Sequence, residues 1–288
     1  MYRPTVNSYF SGAGGLDWGL KEAKMKVVQS LEYDVKCCET LRKNFKHTVL
    51  SADISKKSVL DQAQSDVMAF TYPCTKYSTI ADIHGSRTGD ELFLHAFRHV
   101  AMALPEAFVI ENVPGMRKFE IVMECFTKIP NYYINMFCPI DALNWLPQKR
   151  ERLIIIGTRK PFLIQPPKAN RRIKLKDIIQ SGSVVDMPDY VYKRMNGHYR
   201  DKPIISDPEK NDVAPTCVAH YSKDVSTRMI KDGKIIRPYT VREYARLQGF
   251  PDSFQFAGSN NDAYRQIGNA VAIPVGRWIG QQLFKYFN

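Results

Sequence analysis

Over residues 1–158, short apolar runs alternate with stretches of helical periodicity, and few folds accommodate that rhythm. The runs Val6–Phe10, Val27–Leu31, Thr48–Leu50, Val67–Phe70, Ala107–Ile110, Tyr132–Phe137 and Leu153–Gly157 are expected as strands. Leu16–Ala23, Val35–Asn44, Glu91–Ala103 and Ile121–Lys128 are expected as helices. Strands that alternate with helices bury their apolar faces most simply as a parallel sheet covered on both sides. The expected fold class is therefore α/β, a doubly wound, mostly parallel sheet. Such sheets bind ligands at the carboxyl ends of their strands.

The rhythm stops after Gly157. Residues 159–236 are rich in Pro, Asp, Lys and Arg with little periodicity, so a small loop-rich insertion is expected there. Helical order returns at Thr240–Gly249, closed by Gly249 and Pro251, and in a last amphipathic segment, Val275–Phe287. The expected division is 1–158 plus 260–288 for the main domain and 159–259 for the small one. The chain carries a net charge of +12 over 288 residues, and residues 159–236 hold 16 Lys+Arg against 9 Asp+Glu, a net +7. An excess concentrated in one segment points to a polyanionic partner. Six cysteines, without CxxC spacing or a nearby His cluster, argue against a zinc site and a disulfide framework. With no apolar leader and no run of membrane-spanning length, a soluble cytoplasmic protein is expected.

Cys74 stands in Tyr72-Pro73-Cys74-Thr75, directly after an expected strand. A thiol at that place is a candidate nucleophile, although taken alone it reads more simply as a small core residue. The turn Phe10-Ser11-Gly12-Ala13-Gly14-Gly15-Leu16 joins a strand to a helix. Its glycines let a ligand approach the backbone, and the helix N-terminus favours an anionic group. Glu32 ends the second expected strand and can accept hydrogen bonds from both ribose hydroxyls; Asp53 follows the third and can meet an adenine amino group. In register, these favour an adenosine-type cofactor over solvated loop charges. Glu111, in Glu111-Asn112-Val113-Pro114, can protonate or hydrogen-bond a ring nitrogen, or serve as an ordinary N-cap. Arg150 and Arg152 share one face of an incipient strand, where they can hold a carbonyl or phosphate or form a solvated charge run.

Together these elements resemble the C5-cytosine DNA methyltransferases. Phe-Ser-Gly-Ala-Gly-Gly, Pro-Cys, Glu-Asn-Val, Gln-x-Arg-x-Arg, Arg-Glu-x-x-Arg-Leu-Gln-Gly-Phe-Pro and Gly-Asn-Ala-Val occur in that family's order, over most of residues 5–158 and 237–287. The resemblance implies a Rossmann-like methyltransferase fold, S-adenosyl-L-methionine as methyl donor with S-adenosyl-L-homocysteine as product, and double-stranded DNA as substrate. It implies Cys74 as nucleophile toward C6 of a flipped-out cytosine, Glu111 at N3 and the exocyclic amine, and Arg152 near O2 with Arg150 in support. Phe10 would stack on the adenine, Glu32 bind the ribose, Asp53 meet the adenine amine, and Leu92 and Asn269 border the cofactor. Gly12, Gly14, Gly15, Leu16, Tyr33, Ile54, Pro73, Ala270 and Val271 complete the implied cofactor set. Residues 159–259 fall where the family carries target recognition, and the stretch from Pro215 to Tyr221 resembles its base-reading loops. Two departures stand beside the catalytic cysteine: Thr75 where the family usually has Gln, and Thr71-Tyr72 where Gly or Gly-Phe is usual. A monomer is expected, with a cognate restriction endonuclease as a companion that makes no direct contact. The competing readings are an RNA cytosine methyltransferase and a non-catalytic DNA-binding paralogue; retention of Cys74, Glu111 and Arg152 speaks against the second.

Overall fold

The computed structural model describes residues 1–59, 61–73, 92–183, 189–197, 205–210 and 212–288. Cys74 and Thr75 lie outside them, as does the first residue of the expected helix Glu91–Ala103. A seven-stranded sheet has the order β3-β2-β1-β4-β5-β7-β6. Its strands are β1 (Thr5–Tyr9), β2 (Lys26–Glu32), β3 (Thr48–Ser51), β4 (Val67–Phe70), β5 (Ala107–Asn112), β6 (Tyr133–Asp141) and β7 (Glu151–Thr158). From β3 to β5 all neighbours pair parallel. β4 and β5 are buried along their whole length, which is why their apolar parts read as unbroken runs rather than alternating ones. The winding reverses between β1 and β4, and that reversal opens a crevice at their carboxyl ends.

At one edge the sheet departs from the parallel pattern. β7 runs antiparallel to both β5 and β6. The connection 142–150 holds one 3-10 turn, Ala142–Asn144, and no crossover helix, so the chain returns antiparallel. This return has a chemical consequence. The start of β7 comes to the same end of the sheet as the end of β5, with Glu111 opposite Ile154 and Asn112 opposite Leu153. Arg150 and Arg152 are thereby delivered beside Glu111.

Alternate residues of the strands feed cores on the two faces. α1 (Gly15–Glu22) and α8 (Ile273–Phe287) set Leu16, Leu20, Val275 and Ile279 against Val6, Val67, Val109 and Ile156. α3 (Leu92–Ala103) and α4 (Glu120–Thr127) set Ala96, Val100, Val122 and Phe126 against Met68, Phe108, Ile110 and Ile155. A third core joins α2 (Val35–Asn44), α6 (Val241–Leu247) and α7 (Asn260–Asn269) to the irregular segment through Leu41, Leu175, Ile178, Tyr221, Ile230, Tyr244 and Ile267. That segment carries a short helix, α5 (Asp189–Asn196), and a small sheet of order β10-β9-β8. The small sheet consists of β8 (Ile205–Ser206), β9 (Met229–Asp232) and β10 (Ile235–Pro238). Among the described residues no helix is long and apolar enough to cross a membrane.

The arginine-rich segment around α6 is structural. Thr240 caps the helix: its hydroxyl accepts from the Glu243 amide, while the Glu243 carboxylate accepts from the Thr240 amide. The same buried carboxylate takes two guanidinium nitrogens of Arg237, each at 2.8 Å, and Arg237 also reaches Asp232 at 3.0 Å. Arg246 pairs with Asp252 at 2.7 Å, and Arg242 donates to the carbonyls of Pro251 and Phe254. Removing one partner of a buried pair leaves an uncompensated charge, at a cost of about 3–5 kcal/mol. Arg237→Ala is therefore expected to lower stability by that amount in urea unfolding. A loss below about 1 kcal/mol would mean that Glu243 finds solvent when Arg237 is absent.

Candidate active site

A cavity of about 490 Å³ opens at the carboxyl ends of β1, β2, β4 and β5. It brings together Phe10, Gly12, Glu32, Tyr33, Asp53, Ile54, Pro73, Leu92, Glu111, Arg150, Arg152, Asn269, Ala270 and Val271. Cys74 lies outside the described residues, but Tyr72 and Pro73, immediately before it, belong to the wall. Three residues expected beside a ligand are not among the lining residues. Gly14, at φ 84°, faces the side chains of Leu41 and Phe45. A Cβ on Gly15 would meet the Val271 carbonyl oxygen at 2.2 Å, and Leu16 is only 2% exposed in the sheet core. The close approach these glycines permit is made by the chain itself. It lets the distant segment 268–271 reach the wall.

Each side of the cavity has its own bonding. Phe10 holds a positive φ of 57°, unusual outside glycine. Its amide donates to the Leu31 carbonyl at 2.9 Å, and its carbonyl accepts from the Thr71 hydroxyl at 2.8 Å. Thr71, a departure from the family pattern, thus ties the end of β4 to the end of β1. Glu32 accepts from the Gly12 amide on Oε2 at 2.7 Å, and from the Tyr33 and Asp34 amides on Oε1, both at 2.8 Å. A carboxylate offers about four acceptor directions, so about one is left, on Oε2. Burial pushes the Glu32 carboxyl above its ordinary range, against the pull of those amides. Asp53 caps the turn Ile54–Lys56 by accepting from the Ser55 amide and hydroxyl, and these bonds hold its carboxyl below the ordinary range.

The opposite side is built around Glu111. It is 7% exposed and pairs with Arg152, Nε to Oε1, at 3.0 Å. Burial pushes its carboxyl upward, and the guanidinium groups of Arg152 and Arg150 only partly offset that. Asn112 donates to the Tyr72 carbonyl at 3.2 Å and so holds the backbone leading to Cys74. Arg150 lines the cavity, yet its guanidinium is committed to the protein: it donates to the carbonyls of Cys217 at 2.9 Å, Gly268 at 3.1 Å and Ala270 at 2.8 Å.

A family model described as C-5 cytosine-specific DNA methylase matches residues 5–231 and 213–285. The chain belongs to this family. A type II methyltransferase of Staphylococcus aureus is 30% identical over 97% of this chain and 75% of its own length. The type II methyltransferase M.NgoFVII of Neisseria gonorrhoeae is 28% identical over 93% and 83%. The fold of this DNA cytosine methylase is shared with the Entamoeba histolytica methyltransferase EhMeth, at a TM-score of 0.81 and 19% identity over 100% of both chains. The S. pombe Dnmt2 methyltransferase matches it at 0.76 and 18%, again over 100% of both.

Sequence reasoning missed part of the methylase's site. Gln148 and Gln248 are fully buried and link Leu247, Cys217 and Ile267 beneath the cavity wall. Both stand inside recognisable motifs, but a glutamine there reads the same whether it meets ligand or backbone. Asp34, Cys37, Arg265 and Gln266 line the cavity with no motif signal beyond their proximity to Glu32 and Asn269. Pro215–Tyr221 proves to be an anchored seam: Cys217 donates its amide to Gln148 at 2.8 Å, Val218 donates to the Tyr244 hydroxyl at 2.6 Å, and Tyr221 is fully buried. In that stretch only His220 is exposed.

The raised Glu111 carboxyl has a testable linkage. The folded enzyme holds this proton more tightly than the unfolded chain does. Its contribution to stability is complete below the ordinary carboxyl pKa of about 4.3 and is lost as pH rises through the higher folded value. Glu111→Gln cannot ionise. The wild type is therefore expected to lose stability relative to Glu111→Gln as pH rises from about 4 toward neutrality, read as urea midpoints. Parallel curves for the two proteins would show that Glu111 titrates normally.

Proposed function

We propose that this methylase transfers the methyl group of S-adenosyl-L-methionine to C5 of a cytosine within a specific duplex DNA sequence, through a covalent adduct of Cys74 with C6. The observation that carries the reading is one cavity with two chemistries: an adenosine-compatible half around Phe10 and Glu32, and a buried carboxyl paired with a guanidinium at Glu111 and Arg152. The residues present fit the methyl donor. The cavity volume lies in the usual range for small-molecule sites, Phe10 offers a ring, and Glu32 keeps an acceptor for a ribose hydroxyl. When bound, the donor supplies an electrophilic methyl group.

The protein's own groups supply the rest. The Cys74 thiolate attacks C6, a bond forms from sulfur to C6, and the ring electrons move toward C5. Glu111 stabilises that charge by hydrogen-bonding or protonating N3, a role that burial favours by raising the carboxyl's affinity for a proton. Arg152 faces charge developing at O2 and keeps Glu111 oriented. C5 then takes the methyl group, loses its proton to a base, and expels Cys74 to restore the ring. Within a duplex the target carbon is out of reach, so the cytosine is flipped out at a cost of a few kcal/mol.

Residues 159–259 are assigned to target recognition, and 1–158 with 260–288 to catalysis and cofactor binding. Phosphate binding is ascribed to Arg171, Arg172, Lys174 and Lys176, which are all exposed while Leu175 anchors the run in the core. Base reading is ascribed to Pro215–Tyr221, whose backbone is anchored to Gln148 and Tyr244 while His220 is exposed.

Three experiments test the reading. Cys74→Ser is expected to reduce methyl transfer to background while cofactor and DNA are still bound, because a hydroxyl is a far weaker nucleophile than a thiolate. With the wild type, duplex DNA carrying 5-fluorocytosine at the target should trap a denaturation-resistant adduct, since fluorine cannot leave as a proton does. Active enzyme that forms no such adduct would remove Cys74 from this role. Neutralising Arg171, Arg172 and Lys174 to Gln should weaken binding to every duplex alike and flatten the log–log salt dependence by about 0.9 for each phosphate that is no longer neutralised. An unchanged slope would place the phosphates elsewhere.

A further inference from the structure

We propose that Arg265 is a positioning residue for the methyl donor: its ion pair with Asp34 joins the two sides of the cavity and sets the direction of the Glu32 carboxylate. The inference rests on the cofactor reading given above.

Asp34 is a hub. Its amide donates to Glu32 Oε1 at 2.8 Å, and its Oδ1 caps α2 by accepting from the Cys37 amide at 2.9 Å. Its Oδ2 accepts from Arg265 at 2.6 Å, across 231 positions of sequence. Asp34 and Arg265 both line the cavity, from α2 and α7 respectively. Asp262, one turn back on α7, lies 3.4 Å from the same guanidinium and helps to orient it. Burial works against ionisation of Asp34, but Arg265 and the Cys37 amide outweigh it and hold the carboxyl below its ordinary range.

Packing does not require this pair. The same two helices are joined by a fully buried bond, from the Thr40 hydroxyl to Gln266 Oε1 at 2.6 Å. The Arg265 side chain is 41% exposed, so its pair with Asp34 adds little to folding and is screened by salt. What the pair does fix is the loop 32–34. Glu32 Oε1 is bound by the amides of Tyr33 and Asp34, so a shift of Asp34 turns the carboxylate and misdirects Oε2. Oε2 carries the one acceptor direction left for a ligand.

The test is binding of S-adenosyl-L-homocysteine by calorimetry to the full chain: wild type, Arg265→Gln, Arg265→Lys, Asp34→Asn and the double variant Arg265→Gln with Asp34→Asn. Asn retains the helix cap, so Asp34→Asn removes the charge alone. Each neutral single variant should bind about three- to fivefold more weakly, as loss of a partly exposed pair predicts. The double variant should be no weaker than the worse single, and Arg265→Lys should recover part of the loss. Wild-type affinity should fall with added salt while that of Asp34→Asn stays flat. Unfolding temperatures of the ligand-free proteins should agree. Unchanged affinity with a lowered unfolding temperature would make Arg265 merely structural and overturn the proposal, as would additive losses in the double variant. A wild type that does not bind the compound at all would overturn the cofactor reading and this inference with it.

Discussion

A single buried guanidinium holds the enzyme's parts in register. Arg150, 3% exposed, faces three backbone carbonyls that belong to Cys217, Gly268 and Ala270. A charge in that place persists only because fixed dipoles replace the water it has lost. Its amide is held as well, by Asp141 at 2.7 Å, so both strand and side chain are constrained. The three carbonyls lie in the irregular segment and at the end of α7, whereas Arg150 precedes the last strand of the main sheet. One side chain therefore fixes where the sheet, the irregular segment and the cavity's far wall stand relative to one another. A lysine is a poor substitute, since its donors radiate from one point whereas the three carbonyls are met from two nitrogens of a planar fork.

The two glutamates of the cavity share their burial and differ in what answers it. Both are pushed above the ordinary carboxyl range by desolvation. Glu32 is answered by neutral amides, which hold a carboxylate in place and shape a loop around it. Glu111 is answered by a guanidinium, which only partly offsets the pull of burial toward the protonated form. The same residue type thus sits among amides on one side and against a guanidinium on the other.

Much of this was legible in the sequence, for identifiable reasons. The strands β4 and β5 were readable because burial on both faces writes an unbroken apolar run. Glu32 and Glu111 were readable because an acid at the end of such a run has little reason to be there unless it meets something. Strand direction was not readable at β7, because periodicity is the same in either direction; only the shortness of 142–150 hinted at the antiparallel return. At Gly14 and Gly15 a missing Cβ permits close approach without saying what approaches, and there the neighbours are Leu41, Phe45 and the Val271 carbonyl. Arg150 and Pro215–Tyr221 were readable as functional and not as anchors, since a side chain bound to backbone carbonyls leaves no pattern in composition. Arg265 was invisible, since its partner lies 231 positions away.

The order in which the chain builds its cavity has a consequence during synthesis. Phe10, Glu32 and Asp53 precede the wall formed by Gly268, Asn269, Ala270 and Val271 by most of the chain. On the ribosome, N-terminal regions emerge and begin to fold first. The parallel strands therefore leave the exit tunnel long before α7 does, and during that interval the side of the cavity around Phe10 and Glu32 has no opposing wall. Ligand cannot steady the nascent sheet, which has to hold on its own apolar cores. The cavity is complete only once the residues that end α7 and follow it have been made, after the whole irregular segment.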